Sequence, residues 1–392
     1  MTEGKYSSKR QINLQQAGNN PNVKFNNYEI LQQKYDIKTI HQMDSLLRAT
    51  GIGYLPVEVK YGTHVSFVPR SDYHFSTAIP QILEKLDYYL ENTITNVIDH
   101  GDMLQVPVEG HHSGEAMETR LTTEDEQMMF TESLSKYSDK VIAACGGTHD
   151  DPEFASRLKE TYISAIKPIY ERFGIPYFPN SLVVEFKVPV MKGNVQIGST
   201  SLWCVVMHCS GKPASKKLGS VEKTYDQGLG VIKKFNAYFG KNVCPDFIIG
   251  GHFHANADCD YMVERNIYNK EGKATGSYMH TIRVRSNATI QDSNSSSFNR
   301  SFPDVLIPSF SQYDIHYRVN SNFNPNGMNN SPKYIPVVTE FPILNKSGEL
   351  SMKAKEYMTN RKDYNFTEQV KKDYSNADFK TLYSDFENGL NQ

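Results

Sequence analysis

The sequence predicts a layered α/β fold built on mixed sheets. Three observations predict it. Apolar runs of strand length alternate with stretches of helical period. Five of those runs end in short turns rich in polar side chains. Residues 258–318 then read almost wholly as strand. With 392 residues, 39% apolar and 22% charged, the chain can bury a sizeable core. That length suits one large domain with extensions. An N-terminal polar and helical arm is expected over 1–60, the main domain over 61–320 and a polar extension over 321–392.

The elements follow in order. Residues 1–24 are polar. "NYEILQQKYDIKTIHQMDSLLRATG" predicts helix within 25–60, in one piece or broken near Asp36-Ile37, and ended by Gly51 or Gly53. "HVSFVPRSDYH", from residue 64, predicts a strand and a polar turn. In "AIPQILEKLDYYLEN", Ile79, Ile82, Leu83, Leu86 and Leu90 form one stripe, and Pro80 fits a first helical turn. "ITNVIDHGD" is strand and turn again. "TTEDEQMMFTESLSKY" opens a helix with capping-box spacing, Thr123 to Glu126. "KVIAACGGTHD" is strand and turn, and 153–173 is a long helix. "SLVVEFKV" and "SLWCVVMH" are strands, "SVEKTYDQGLGVIKKFNAYF" is helix, and "PDFIIGGHFH" is strand and turn. Asn/Ser-rich 286–301 and 319–332 predict a surface loop and a linker, with helix again at about 351–373.

The bulk numbers exclude some classes. Net charge is −2, from 42 basic and 44 acidic residues, so no global positive excess draws nucleic acid, although a local patch can. Five cysteines without a CxxC argue against a disulfide frame or a structural zinc, and for buried thiols in a reducing compartment, the cytoplasm. The start, "MTEGKYSSKRQINLQQ", has no apolar h-region, and no stretch approaches a membrane span. The sequon Asn287-Ala-Thr289 carries no weight without a secretion signal.

The five turns are Asp72-Tyr73-His74, Gly101-Asp102, Gly147-Thr148-His149-Asp150, His208, and Gly251-His252-Phe253-His254. They collect two carboxylates, Asp72 and Asp102, and four imidazoles, His74, His208, His252 and His254. In an open α/β sheet the C-terminal strand ends line one crevice. Carboxylate oxygen with imidazole nitrogen suits Mn²⁺, Fe²⁺, Zn²⁺ or Ni²⁺. Six ligands are too many for one metal with an open position, but they suffice for two metals sharing a carboxylate. Glycines beside Asp102, Thr148 and His252 let the backbone approach closely. His100, His111 and His112 fit no ligand position.

The ordered series DxH, GD, GTHD, H and GHxH resembles the metallophosphoesterase (calcineurin-like phosphoesterase) superfamily over about residues 64–318. Within it, "GDMLQ", "SDKVIAACGGTHD" and "VVMHCSGKPASKKLG" resemble phage-type members related to the DNA-repair exonuclease branch. The resemblance implies a four-layer α/β/β/α sandwich. It implies that Asp72, His74 and His254 bind one divalent ion, that His208 and His252 bind a second, and that Asp102 bridges them. Mn²⁺ is the first expectation, with Fe²⁺, Zn²⁺, Ni²⁺ or Mg²⁺ as alternatives. The family's asparagine ligand is Thr148 here, a shorter side chain with a weaker donor. His149 matches the family histidine that faces the phosphate, and Asp150 would orient it.

The implied chemistry is metal-assisted hydrolysis of a phosphodiester, with His149 protonating the leaving oxygen. DNA or RNA is the expected partner, drawn by Lys212, Lys216 and Lys217 after the fourth motif. The loop "VPVEGHHSGEAMETR" after Asp102 is placed to gate the crevice. A small-molecule or cyclic-nucleotide phosphodiesterase stays open. So does a non-catalytic relative, because of Thr148. No membrane partner is expected; the compartment is the cytoplasm, that of the host if a phage encodes the chain.

Overall fold

The computed structural model describes residues 35–59, 64–106, 121–150, 164–179, 181–192, 195–215, 217–268, 273–291, 310–320 and 332–362. Two six-stranded mixed sheets form its centre. Sheet one runs β1 (Ile52–Glu58), β6 (Ser181–Lys192), β7 (Val195–His208), β8 (Phe247–Gly251), β10 (Ala274–Ser286), β9 (Ala257–Tyr268). Sheet two runs β12 (Tyr334–Pro342), β11 (Ser311–Val319), β2 (His64–Arg70), β3 (Asn96–His100), β4 (Val141–Cys145), β5 (Tyr177–Phe178). In sheet two, β2, β3 and β4 are mutually parallel. In sheet one, β7 and β8 are parallel.

The sheets meet through side chains of alternating strand residues. Phe67 of β2 stacks on Phe186 of β6 at 5.7 Å and meets Phe247 of β8 edge-on at 5.6 Å. Tyr313 of β11 stacks on Phe67 at 5.1 Å. Such aromatic pairs add roughly 0.5–1.5 kcal/mol each beyond their burial. The outer face of sheet one is covered by α1 (Ile37–Thr50) and α5 (Lys217–Phe239). A second core, on sheet two, takes residues from α2 (Pro80–Glu91), α3 (Thr123–Ser135), α4 (Lys167–Arg172) and α6 (Met352–Lys362). The expected α/β/β/α sandwich is therefore present.

Local chemistry explains most boundaries. Asp36 caps α1 by accepting from the Thr39 N–H at 3.0 Å, and Gly51, at φ 71°, ends it. Pro80 sits in the first turn of α2 as expected.

Four expectations change. Residues 52–58, placed in the N-terminal arm, are a buried edge strand of sheet one; Pro56 is tolerated there because an edge strand leaves one side unpaired. Residues 334–342, placed in the polar extension, are the edge strand β12. The cap of α3 is Thr122, answered by the Asp125 N–H at 3.1 Å, so the Thr123–Glu126 box does not form. The helix expected over 153–173 is, among the described residues, the short α4; 151–163 lie outside them. The helix near 351–373 is described over Met352–Lys362. No helix of the described residues is long and apolar enough to cross a membrane.

Candidate metal centre

The five turns follow β2, β3, β4, β7 and β8, and all five leave C-terminal strand ends. Their backbone is unusual. Among the described residues, six non-glycine residues have positive φ, and five of them are Asp72 (56°), His74 (46°), Asp102 (52°), His252 (85°) and His254 (52°). Such conformations cost about 1–3 kcal/mol each and persist where the surroundings over-determine them. Here the surroundings are hydrogen bonds between turns. The Asp72 N–H donates to the Gly101 carbonyl at 3.1 Å, the His74 N–H to the Asp102 carbonyl at 3.0 Å, and the His252 N–H to Asp72 Oδ1 at 2.8 Å. Two glycines permit the approach. A Cβ at Gly147 would lie 2.3 Å from Asp102 Oδ1, and one at Gly251 would lie 2.6 Å from Asp72 Oδ2.

The donors converge into three groups whose ligand atoms lie within 4.8 Å of one another: Asp72, His74, His254; His74, Asp102, His149; and Asp102, His208, His252. His74 links the first two groups and Asp102 the last two. Within them, His74 Nε2 is 3.1 Å from His254 Nε2, His254 Nε2 is 3.3 Å from Asp72 Oδ1, and His208 Nε2 is 2.9 Å from Asp102 Oδ2. Donors about 2.0–2.2 Å from one ion, at roughly tetrahedral to octahedral angles, stand about 3.0–3.5 Å apart. The residues present thus fit a cation in spacing as well as in donor chemistry. The buried Nδ1 of His74 has no hydrogen-bond partner among the described residues, an exception of the kind functional sites carry.

Burial and charge set the protonation. Burial would lower the His208 imidazole, but the charge and hydrogen bond of Asp102 outweigh it and push His208 up to about 9. Burial, then the charge of His208, pushes His252 down to about 4. Burial, then His149 and His254, holds His74 well below the usual range. Burial opposes ionisation of Asp102, yet His208 and His149 keep it well below an ordinary carboxyl.

The third turn, Gly147–Asp150, reaches Asp102 as well. Thr148 Oγ1 donates to Asp102 Oδ2 at 3.0 Å, and the His149 N–H donates to Asp102 Oδ1 at 2.7 Å. The His149 ring stands edge-on to His74 at 4.7 Å. Its Nδ1 lies 3.1 Å from the Gln105 carbonyl, which orients the ring. Asp150 binds backbone: Oδ2 accepts from the Met103 N–H and Oδ1 from the Gly147 N–H, both at 2.8 Å. It ties the second turn to the third.

Lys212 and Lys217 are exposed on the segment after His208, while Lys216 lies outside the described residues. So do residues 107–120 of the loop expected to gate the crevice, with His111 and His112. His100 is buried, and its carbonyl accepts from His208 Nδ1 at 3.2 Å, which aims Nε2 of His208 at Asp102. Sequence reasoning also passed over Asn287 and Thr289. Both are buried; Asn287 Nδ2 donates to the Pro69 carbonyl at 3.3 Å and Thr289 Oγ1 to the Asp72 carbonyl at 2.8 Å. Both fall in the stretch 286–301 expected as a surface loop, of which 286–291 are buried instead. Compared with protein-family models and with curated proteins, the chain matches none.

Proposed function

We propose that the chain is a metallophosphoesterase that hydrolyses phosphodiester bonds, with nucleic acid as its first substrate class. One observation carries the reading: three donor groups at five strand ends are joined through His74 and Asp102. That is the arrangement two neighbouring cations sharing a carboxylate require. Asp72, His74 and His254 would hold the first. Asp102 would serve both, and His208 and His252 would hold the second, with the Thr148 hydroxyl beside them. Mn²⁺ is the first choice, followed by Fe²⁺, Zn²⁺, Ni²⁺ or Mg²⁺.

When bound, such ions supply Lewis acidity toward a phosphoryl oxygen and acidify a water. The chain's residues do the rest. His149, whose Nδ1 meets the Gln105 carbonyl, would carry a proton to the leaving oxygen. Asp150 fixes the backbone on which His149 and Asp102 stand. Lys212, Lys216 and Lys217 meet phosphates beyond the scissile one. The five free thiols agree with a reducing cytoplasm, that of the host if a phage encodes the chain.

Metal analysis of the purified chain, with hydrolysis assays in Mn²⁺, tests the reading. The substrates are single- and double-stranded DNA, RNA, cyclic nucleotides, a small diester and a phosphomonoester. Two ions per chain and cleavage of a polynucleotide are expected. Cleavage confined to small diesters would move the substrate class. Failure to bind metal or cleave any ester would defeat the reading and favour a non-catalytic relative.

A further inference from the structure

Glu126 lies in the first turn of α3, yet it takes no part in capping. Thr122 and Asp125 answer each other there: the Asp125 N–H donates to Thr122 Oγ1 at 3.1 Å, and Thr122 Oγ1 donates to Asp125 Oδ2 at 2.8 Å. The Glu126 side chain turns inward and is fully buried, at 0% exposure. A buried carboxylate is costly unless its oxygens are bonded. Glu126 Oε1 accepts from the Ser76 N–H at 2.8 Å and the Gln105 N–H at 2.7 Å, and Oε2 accepts from the Val106 N–H at 3.3 Å. Charge-assisted bonds of this kind are roughly twice as strong as neutral ones, and the positive end of α3 adds to them.

The three donors are not a random set. Ser76 stands two residues after His74, while Gln105 and Val106 follow Asp102 by three and four. The Val106 N–H and the Gln105 carbonyl belong to one peptide unit. That carbonyl is the partner of His149 Nδ1. A trans peptide is planar, with its N–H and C=O directed oppositely. Fixing the N–H therefore fixes the direction of the carbonyl. Val106 itself sits at φ 36°, a region that a β-branched residue avoids unless it is held there. Asp150 anchors the neighbouring Met103 and Gly147 N–H groups and leaves this peptide to Glu126.

We propose that Glu126 is a positioning residue that sets the His149 imidazole for proton donation through the Gln105–Val106 peptide; the proposal rests on the reading of His149 as the proton donor of a phosphoesterase. It does not touch substrate or any reacting atom. Its contribution exists only where the His149 ring is present to be aimed.

The test uses the full chain with Glu126→Gln. This variant is isosteric but puts an N–H₂ where one acceptor oxygen stood. Turnover should fall about 10–100-fold, the usual effect of losing an orienting partner. The half-saturating Mn²⁺ concentration should stay close to that of the unmodified chain, since Glu126 bonds backbone N–H groups and none of the metal donors. In a His149→Ala background the same change should cost less than about twofold, because the two residues act as one unit. An equal loss in both backgrounds would overturn the proposal and leave Glu126 a general support of the fold. A second readout does not depend on activity. ¹⁵N shifts of the His149 ring in the metal-free chain should report one tautomer, protonated at Nδ1, and a mixture in Glu126→Gln. An unchanged ring signal overturns the proposal even if the chain cleaves every diester offered. A chain that cleaves none loses the phosphoesterase reading, while the ring signal still decides on Glu126. If Glu126→Gln does not fold, Val106→Gly takes its place. It frees the same peptide with the carboxylate present, and the tautomer should again become mixed.

Discussion

The two sheets contribute to the site in different ways. The strand ends of sheet two carry Asp72, His74, Asp102, Thr148, His149 and Asp150 above a buried ionic network. There Arg70 forks onto Asp99 with Nε and Nη2 at 2.6 Å each, and both side chains are 0% exposed. Arg70 Nη1 donates to the Tyr137 hydroxyl at 2.6 Å, and the Tyr170 hydroxyl donates to Asp99 Oδ2 at 2.8 Å. The network links β2 to β3 just behind Asp72 and Asp102. Sheet one has no such support behind its histidines among the described bonds. His208 takes its orientation from the His100 carbonyl and His252 takes its backbone bond from Asp72, both of which belong to sheet two. Sheet two is the fixed template, and the histidines of sheet one are set against it.

The strongest test of that division is Asp102→Asn. Asp102 serves two of the donor groups, so metal content should fall at both positions. Activity should drop by more than the roughly 10²–10³-fold of a single lost electrostatic stabiliser. His252→Ala should remove metal from one position and leave the other occupied. If both variants lose one ion each, Asp102 is not shared, and the two sheets hold separate sites.

Next comes Arg70→Met, which leaves Asp99 buried without its cation. It should cost about 3–5 kcal/mol in denaturant unfolding, and the double change Arg70→Met with Asp99→Leu should recover much of that. An exposed ion pair of sheet one, Lys187–Glu58 at 3.0 Å, offers the contrast: Lys187→Met should cost under about 1 kcal/mol. Equal costs would erase the contrast.

A third prediction concerns pH. With His208 held protonated up to about 9, metal must displace a proton, so affinity should rise up to about tenfold per unit between pH 7 and 9. Folding of the metal-free chain runs the other way. A raised pKa contributes stability that is complete below the unfolded value of 6.5 and lost as pH rises through about 9. Metal titrations and metal-free melts should therefore slope oppositely, and parallel slopes would mean that Asp102 does not hold the His208 proton.

The smallest effect is expected at the exposed end of sheet one. Lys212→Ala with Lys217→Ala should flatten the salt dependence of polynucleotide binding by about two in log–log slope, one for each phosphate contact. KM should rise more than kcat falls. An unchanged slope would remove these lysines from the substrate path.

Much of this was legible in the sequence because it is local. The alternation of β2, the stripe on α2 and the polar turn after each apolar strand are patterns of near neighbours, so the fold class and the polar turns could be read directly. What escaped reading depends on distant partners. Glu126 has capping-box spacing from Thr123, and its backbone donors are 20 to 50 residues away. Asn287 and Thr289 serve β2, more than 200 residues back. β1 and β12 contain prolines, which weaken a strand signal unless the edge position is known.

The span of the site along the chain also sets when it can come into being. His74 and His254 are 180 residues apart, and the His252 turn closes on Asp72 across the same distance. A nascent chain that has left the ribosome as far as β7 already holds Asp72, His74, Asp102 and His208. It still lacks the turn after β8 that completes two of the three donor groups. The donor set is therefore complete only late in synthesis, and a product that stops before β8 lacks the His252 and His254 turn that two of the three groups need.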